Sequence, residues 1–317
     1  MKIYHDIDDF RVQNPVLTIG SFDGVHRGHF KIIERLKEIA CQNKGESVIF
    51  TFYPHPRLVL FPDEGNLRLL TTLDEKIRLF EKAGIEHLIV FPFTKEFSDL
   101  SYTDFVREIL VKKLKIKSLV VGYDHKFGKN REGGFEMLKN LSLVFNFQVE
   151  KLDVLLMDDI NISSTKIRDA LQQGNISRAN KYLGYPFTLH GTVVEGQKLG
   201  RKLQFPTANI EASDPHKIIP GFGVYAVFVN VGAQKFMGML NIGTRPTVNK
   251  NADSRSIEVH ILNFDGNLYK KQIELEFIQK VREEQKFASV EELKLQLEKD
   301  KKSVQRILEK SLKQPSV

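Results

Sequence analysis

The 317-residue sequence predicts an α/β protein in two modules: a doubly wound parallel sheet, then a small antiparallel β-barrel with a terminal helix. Three observations carry that expectation. Over about the first 150 residues, short β-rich apolar runs alternate with helical stretches, the pattern of a parallel sheet with helices on its faces. From Phe187 onward the texture changes to β-branched and aromatic runs broken by glycine, which suits an antiparallel barrel. Between the two, a helical stretch stops at Gly184 before Tyr185-Pro186, which sets the expected boundary and gives modules 1–184 and 185–317.

In the first module, Val16 to Ile19 reads as a strand, His29 to Gln42 as a helix and Ser47 to Phe52 as the next strand. Leu73, Ile77 and Phe80 fall at helical spacing in a stretch that closes at Gly84, a natural helix C-terminal residue. His87 to Phe91 follows as a strand, Tyr102 to Lys113 as a helix and Ser118 to Val121 as a strand. Gly134 to Phe145 is then helical and Gln148 to Leu152 strand-like. Two short helices, Thr165 to Gln173 and Ser177 to Leu183, flank Gly174-Asn175. The barrel strands are expected at Leu189 to Val194, Val224 to Val231, Gln234 to Leu240, Ser256 to Leu262 and Gln272 to Gln279. A helix from Val290 to Leu312 ends the chain, with Val290, Leu293, Leu297, Val304, Ile307 and Leu308 on its inward face.

A hydrophobic content of 41% supports real cores, and no apolar run approaches the roughly 18 residues of a membrane span. The start MKIYHDIDDF lacks the basic-then-apolar pattern of a signal peptide, so a cytoplasmic protein is expected. The single cysteine, Cys41, excludes an internal disulfide and a thiol-rich metal site, and its place in a helical stretch suggests a packing residue. A net charge of +7 attracts polyanions, ATP as readily as nucleic acid. The lysines and arginines are spread along the chain rather than gathered in a stripe, which disfavours a nucleic-acid partner. Composition leaves the oligomeric state open.

The strand Val16 to Ile19 runs through Gly20-Ser21-Phe22-Asp23-Gly24-Val25-His26-Arg27-Gly28-His29 directly into a helix. Glycines let the backbone approach an anion, and the helix start supplies unpaired amides and a favourable dipole. Two histidines at i and i+3 are placed to donate to the same anion, stabilising charge on a phosphate as a leaving group departs. Walker A spacing is absent, so this is not a P-loop. Ser163-Ser164-Thr165 reads as an N-cap for the helix that follows.

With Phe52-Tyr53-Pro54-His55-Pro56, Leu70-Thr71-Thr72, Val121 to Gly128 and Ile162 to Arg168, this segment resembles the bacterial bifunctional riboflavin kinase and FAD synthetase family. The first module of that family is a Rossmann-like HxGH nucleotidyltransferase. The resemblance covers nearly the whole chain. It implies that His26 and His29 contact ATP phosphates, with Gly20, Phe22, Asp23 and Gly24 forming the ATP loop, and that Ser164, Thr165 and Arg168 bind the triphosphate from the far side. Asp124 and Phe127 would lie near the nucleotide or flavin, and His55 would shape the flavin side. The family has phenylalanine where His125 stands.

In the second module, the glycine-bearing basic loop Gly196 to Lys202 is able to fold around phosphates. Phe205-Pro206-Thr207-Ala208-Asn209, Pro220 to Ala226, Asn241 to Thr247 and Ile257 to Leu262 resemble the riboflavin kinase module of the same family. By that resemblance Gly196, Gly200 and Lys202 border ATP, Thr207 and Asn209 hold Mg²⁺ and the ATP phosphates, and Glu258 is the base for the ribityl 5′-hydroxyl. Arg282 and Phe287 would border the flavin. Along the strand, Glu258 and His260 share one face and Ile257, Val259 and Ile261 the other. The family has glycine where Gln204 and Lys270 stand, so a positive φ there would strain this chain.

The expected function is therefore two sequential activities, riboflavin to FMN and FMN to FAD, with ATP, riboflavin and FMN as small-molecule partners. The competing expectations are a monofunctional FAD synthetase with a flavin-binding second module, and a flavin-responsive RNA-binding protein. The second of these lacks the aromatic-and-basic stripe that RNA binding uses.

Overall fold

The computed structural model describes residues 1–62, 67–123, 126–129, 132–153, 156–157, 160–196, 204–244 and 255–313. The chain divides into two compact units, Met1–Ser164 and Thr165–Val317.

The first unit is built on a six-stranded parallel sheet of strands β1 (Lys2–Tyr4), β2 (Val16–Ile19), β3 (Ser47–Tyr53), β4 (His87–Pro92), β5 (Ser118–Val121) and β6 (Gln148–Lys151). Their order is β1-β4-β3-β2-β5-β6, and the interior strands β2 and β5 are buried along their whole length. A strand covered on both faces reads as a continuous apolar run, which is why Val16 to Ile19 and Ser118 to Val121 were legible. The edge strand β1, three residues with Lys2 and Tyr4 flanking Ile3, carries no such run and was missed.

Helix α1 (Arg27–Gln42) buries Ile33, Leu36, Ile39 and Ala40 against the sheet. It begins two residues before the expected His29, with His26 as its N-cap. Helix α2 (Pro56–Leu60) is a single short turn, whereas α3 (Leu73–Lys82) opens on a capping box between Thr72 and Glu75. Two orphan amides are satisfied reciprocally there, and the stretch closes at Gly84 with φ +74°. Beyond α4 (Lys95–Ser98), the expected helix Tyr102 to Lys113 is one α-turn, α5 (Tyr102–Asp104), followed by a π-helix, Phe105–Lys113. Its wider winding turns Phe105, Val106, Ile109 and Leu110 inward onto the core. Helix α6 (Phe135–Phe145) ends at Asn146 in the left-handed region, and a two-stranded ribbon, β7 (Leu156–Met157) with β8 (Ile160–Asn161), completes the unit. Cys41 is exposed on α1, a correction to the expected packing role. Ile39 and Ala40 take the sheet-facing positions of that turn and leave Cys41 outside.

Helix α7 (Ser164–Gln172) begins on the last residue of the first unit and belongs otherwise to the second, as does α8 (Ile176–Leu183), which packs on the barrel. The Asn180 side chain accepts from the Phe187 amide and donates to the Phe277 carbonyl. The compact units accordingly divide after Ser164, ahead of the Gly184–Tyr185 boundary read from the sequence.

The barrel is a closed ring of β9 (Phe187–Val194), β10 (Ala208–Ala212), β11 (Gly223–Val231), β12 (Gln234–Thr244), β13 (Arg255–Ile261) and β14 (Gln272–Arg282), in the order β10-β13-β12-β11-β14-β9. Closure removes free sheet edges. On β9, burial alternates strictly, the signature of a strand with one face on the core. The C-terminal helix Val290–Lys313 covers the outer face, where Val304 and Leu308 join Phe205, Val224, Ala226, Phe228, Met239 and Leu262 in a buried cluster. Burying each such large side chain contributes about 1.5–3 kcal/mol.

Candidate functional site

In the first unit, a cavity of about 290 Å³ opens at the C-terminal end of β2, where Gly20, Phe22, His26, Gly28, His29 and Ser164 all line it. This is the crevice where open parallel sheets bind nucleotides. The loop into α1 is held in uncommon backbone: φ is +48° at Phe22, +86° at Gly24 and +31° at Val25. Gly24 takes that conformation freely, whereas Phe22 and Val25 cost on the order of 1–3 kcal/mol each there and persist only where the surroundings over-determine them.

Those surroundings are visible. The buried carboxylate of Asp23 accepts from the amides of Leu70 and Thr71 at 2.9 and 3.1 Å, and Thr71 Oγ1 accepts from the Gly24 amide at 3.0 Å. Lys76, on the first turns of α3 and itself buried, donates to the Ser21 carbonyl at 3.1 Å. Ser164 Oγ donates to the Asp23 carbonyl at 2.9 Å, so the start of the Ser164–Gln172 helix is tied to the same loop.

His26 and His29 stack, with ring centroids 3.7 Å apart and planes 13° from parallel. A Cβ on Gly28 would stand 3.1 Å from the His26 ring, so glycine at this position lets the imidazole lie close against the helix start. Burial, then His26, then the Lys76 ammonium push His29 well below the usual histidine range. His29 is thus neutral at physiological pH, and its buried Nδ1 has no hydrogen-bond partner among the described residues. Two stacked imidazoles at a helix N-terminus can donate to an anion from one place, and His29 does so without a buried charge of its own.

The other residues expected at this site have the following surroundings within their own units. His55 caps α2, with Nδ1 accepting from the Arg57 amide at 3.2 Å, as a turn residue would. Phe127 packs against Tyr102 and Phe105 beside the core. Thr165 and Arg168 stand on α7 in the second unit. Asp124, with His125, lies outside the described residues. The cavity also takes in Lys31, Tyr123, Lys126, Asp153 and Asn161, which the sequence reading did not single out. For Lys126 and Tyr123 a signal existed, their place in Val121 to Gly128.

In the barrel, Thr207 Oγ1 donates to Glu258 Oε2 at 3.2 Å, and Asn209 pairs with Glu258 across β10 and β13. Glu258 is half-buried and sits in register with Asn241 on its other side. A Cβ on Gly196 would fall 2.0 Å from Asn209 Nδ2, so that glycine leaves the space the amide occupies. Thr207 also lines a second cavity of about 550 Å³ with Val193, Ala208, Val259 and Phe264.

His260 is buried, and its Nδ1 donates to the Pro206 carbonyl at 2.9 Å. Burial lowers it below the usual histidine range, with Lys301 acting in the same direction and the Pro206 bond opposing. Arg282 is held by buried Asp300 through contacts of 2.8 and 2.9 Å and lies 5.7 Å from the Phe287 ring. Gly200 and Lys202 lie outside the described residues. Gln204 and Lys270 adopt φ of +65° and +64°, the conformation for which glycine is suited.

A parallel sheet with a helix-start anion site and a closed barrel that sets Thr207 against Glu258 make this a two-module chain of the kind that suits phosphate transfer. Residues 10–166 match the family model described as FAD synthetase, and residues 183–308 the one described as riboflavin kinase. Relatives described as bifunctional riboflavin kinase/FMN adenylyltransferase occur in Listeria monocytogenes, at 39% identity over 94% of both chains, and in Escherichia coli K12, at 37% over 93% of both. One from Buchnera aphidicola of Schizaphis graminum is 38% identical over 95% of this chain and 96% of its own. The chain belongs to the bifunctional riboflavin kinase/FMN adenylyltransferase family. Its fold is similar to a crystal structure described as a macrolide-efflux protein from Streptococcus pneumoniae, with TM-score 0.86 and 29% identity over 96% of this chain and 98% of that one. Among the described residues, no helix is long and apolar enough to cross a membrane.

Proposed function

We propose that the barrel unit transfers the γ-phosphoryl group of ATP to riboflavin, giving FMN and ADP, and that the parallel-sheet unit joins FMN to the AMP moiety of a second ATP, giving FAD and pyrophosphate. The observation that carries the second step is the stacked His26–His29 pair at the start of α1, with His29 held neutral by burial.

In adenylylation a phosphate oxygen of FMN attacks the α-phosphorus and the bond to pyrophosphate breaks. The reacting groups are already anionic, so the protein's work is positioning and stabilisation of charge in the transition state. Donors from His26, His29 and the first amides of α1 face that charge, and Gly20, Phe22, Asp23 and Gly24 shape the loop. Ser164, Thr165 and Arg168 bind the outgoing phosphates. Asp124, Phe127 and His55 serve the nucleotide or flavin side.

In phosphorylation Glu258 takes the proton of the ribityl 5′-hydroxyl as its oxygen bonds to the γ-phosphorus and the bond to ADP breaks. Gly196, Gly200 and Lys202 border the ATP phosphates, while Arg282 and Phe287 border the flavin. Thr207 and Asn209 offer hard oxygen donors beside a carboxylate, a set that suits Mg²⁺ completed by phosphate oxygens and water. Bound there, the ion supplies charge neutralisation of the phosphates. A one-cysteine chain fits the reducing cytoplasm, and its net charge of +7 suits polyanionic substrates such as ATP, while lysines and arginines spread along the chain disfavour a nucleic-acid partner.

The test is a time course of purified protein with Mg²⁺, ATP and riboflavin. FMN should rise first and FAD follow at its expense, whereas FAD formation from supplied FMN with riboflavin untouched would remove the kinase half.

A further inference from the structure

The kinase reading rests on Thr207 facing Glu258, yet Thr207 stands just outside the β10–β13 ladder, which begins at the pair Ala208 and Val259. It is an exposed residue, preceded by an exposed proline and by Gln204 in the left-handed region. Pro206 has no amide hydrogen, so the group through which its own backbone can be anchored is its carbonyl. His260 anchors it. Its Nδ1 lies 2.9 Å from the Pro206 oxygen, and because a carbonyl only accepts, Nδ1 carries the proton.

The carbonyl oxygen of Pro206 and the nitrogen of Thr207 belong to one rigid peptide plane. Fixing the oxygen therefore fixes the plane from which the Thr207 side chain departs. The imidazole is itself well held. The Phe205 ring meets it edge-on at 5.2 Å, Met239 on β12 is its cross-strand neighbour, and the residue is 8% exposed. Because His260 follows Glu258 by two residues on the same strand face, one strand carries both the proposed base and the anchor of its hydroxyl partner.

We propose that His260 is a positioning residue for phosphoryl transfer, whose Nδ1–H holds the Pro206 carbonyl and thereby sets the Thr207 hydroxyl against Glu258. The inference depends on the assignment of riboflavin phosphorylation to the barrel, and the experiment separates the two. In His260→Asn the amide nitrogen stands as many bonds from Cα as Nδ1 does, so the donor is retained. In His260→Gln the amide reaches one bond further, to the place of Nε2, and His260→Phe fills the volume with no donor at all.

Steady-state riboflavin phosphorylation with varied Mg²⁺ and ATP, FMN adenylylation and the thermal unfolding midpoint would be measured for the parent and all three variants. The asparagine variant should stay within about 3-fold of the parent. The glutamine and phenylalanine variants should lose roughly 10- to 100-fold in kcat/KM for ATP, the scale of a displacement of about 1 Å at a reacting site. FMN adenylylation should hold at the parental rate in every variant. A glutamine or phenylalanine variant that phosphorylates riboflavin at the parental rate would overturn the inference, as would an asparagine variant that falls with the other two or a common loss that tracks the unfolding midpoint. A parent that adenylylates FMN but never phosphorylates riboflavin would overturn the reading of the barrel, and the inference with it.

Discussion

Lys76 Nζ donates to the carbonyl oxygen of Ser21 at 3.1 Å, tying the start of α3 to the strained loop that delivers Phe22, Val25 and His26 to the first cavity. Burial pulls the Lys76 ammonium down to about 8, with Asp23 opposing that shift. Alongside the Asp23 bonds to Leu70 and Thr71, this contact explains how three positive-φ residues in succession of four persist beside a cavity.

Replacing that ammonium separates position from stability. Lys76→Met keeps the stem but releases the Ser21 carbonyl, so FMN adenylylation should fall by roughly 10- to 100-fold while riboflavin phosphorylation stays near parental. The folded-state value of about 8 lies below the 10.5 of the free side chain. Between those values the unfolded chain binds more protons, so this group's contribution to stability rises with pH across the window. The methionine variant, lacking the buried charge, should therefore be the more stable protein at about pH 7 and lose that advantage by about pH 10. Urea unfolding at the two pH values checks it, and a pH-independent difference would contradict it.

Glu258→Gln isolates the proposed base, since the amide keeps the shape and an acceptor for Thr207 Oγ1 but takes no proton at neutral pH. Riboflavin phosphorylation should fall by roughly 10²- to 10⁴-fold, with conversion of supplied FMN to FAD preserved. Rates for both substrates on the same preparation decide it. Parental phosphorylation would remove Glu258 from the chemistry.

Gln204 and Lys270 occupy left-handed backbone with side chains attached. Each glycine replacement relieves about 1–2 kcal/mol of strain and gives back about 0.4–1 kcal/mol in unfolded-chain entropy, so a modest gain in stability per site is expected. The Lys270 amide bond to the Val193 carbonyl, at 2.9 Å, survives the change because it is backbone. Denaturant midpoints of the single variants test this, and a loss of stability would show that the side chains contribute more than their backbone costs.

Much of this architecture was legible because apolar periodicity and glycine punctuation report burial directly. Val16 to Ile19, Ser118 to Val121 and the alternating β9 are visible for that reason. The short strand Ala208–Ala212 was missed because Asn209 and Glu211 break the β-rich texture, and its pairing with β9 and β13 comes from the barrel rather than from local preference. Lys76 was invisible because Asp74-Glu75-Lys76 reads as a solvated helix face, although Glu75 is drawn into the capping box and Lys76 into the core. His260 was placed on the face of Glu258, but its bond to Pro206 joins residues 54 positions apart. The positive φ at Gln204 and Lys270 was anticipated from the glycines of related chains, since nothing in the local sequence marks a turn that glycine would otherwise announce.

The central claim is that the two transfers use separate sites, with the stacked histidines serving only the second. His29→Ala tests it most directly, in one incubation with Mg²⁺, ATP and riboflavin. The imidazole that stacks on His26 is removed from the helix start, while Thr207 and Glu258 in the other unit are untouched. FMN should accumulate at the parental rate and FAD formation should drop by roughly 10²- to 10³-fold, the cost of one positioned donor. A folded His29→Ala protein that loses both products together, or that makes FAD at the parental rate, would contradict the account.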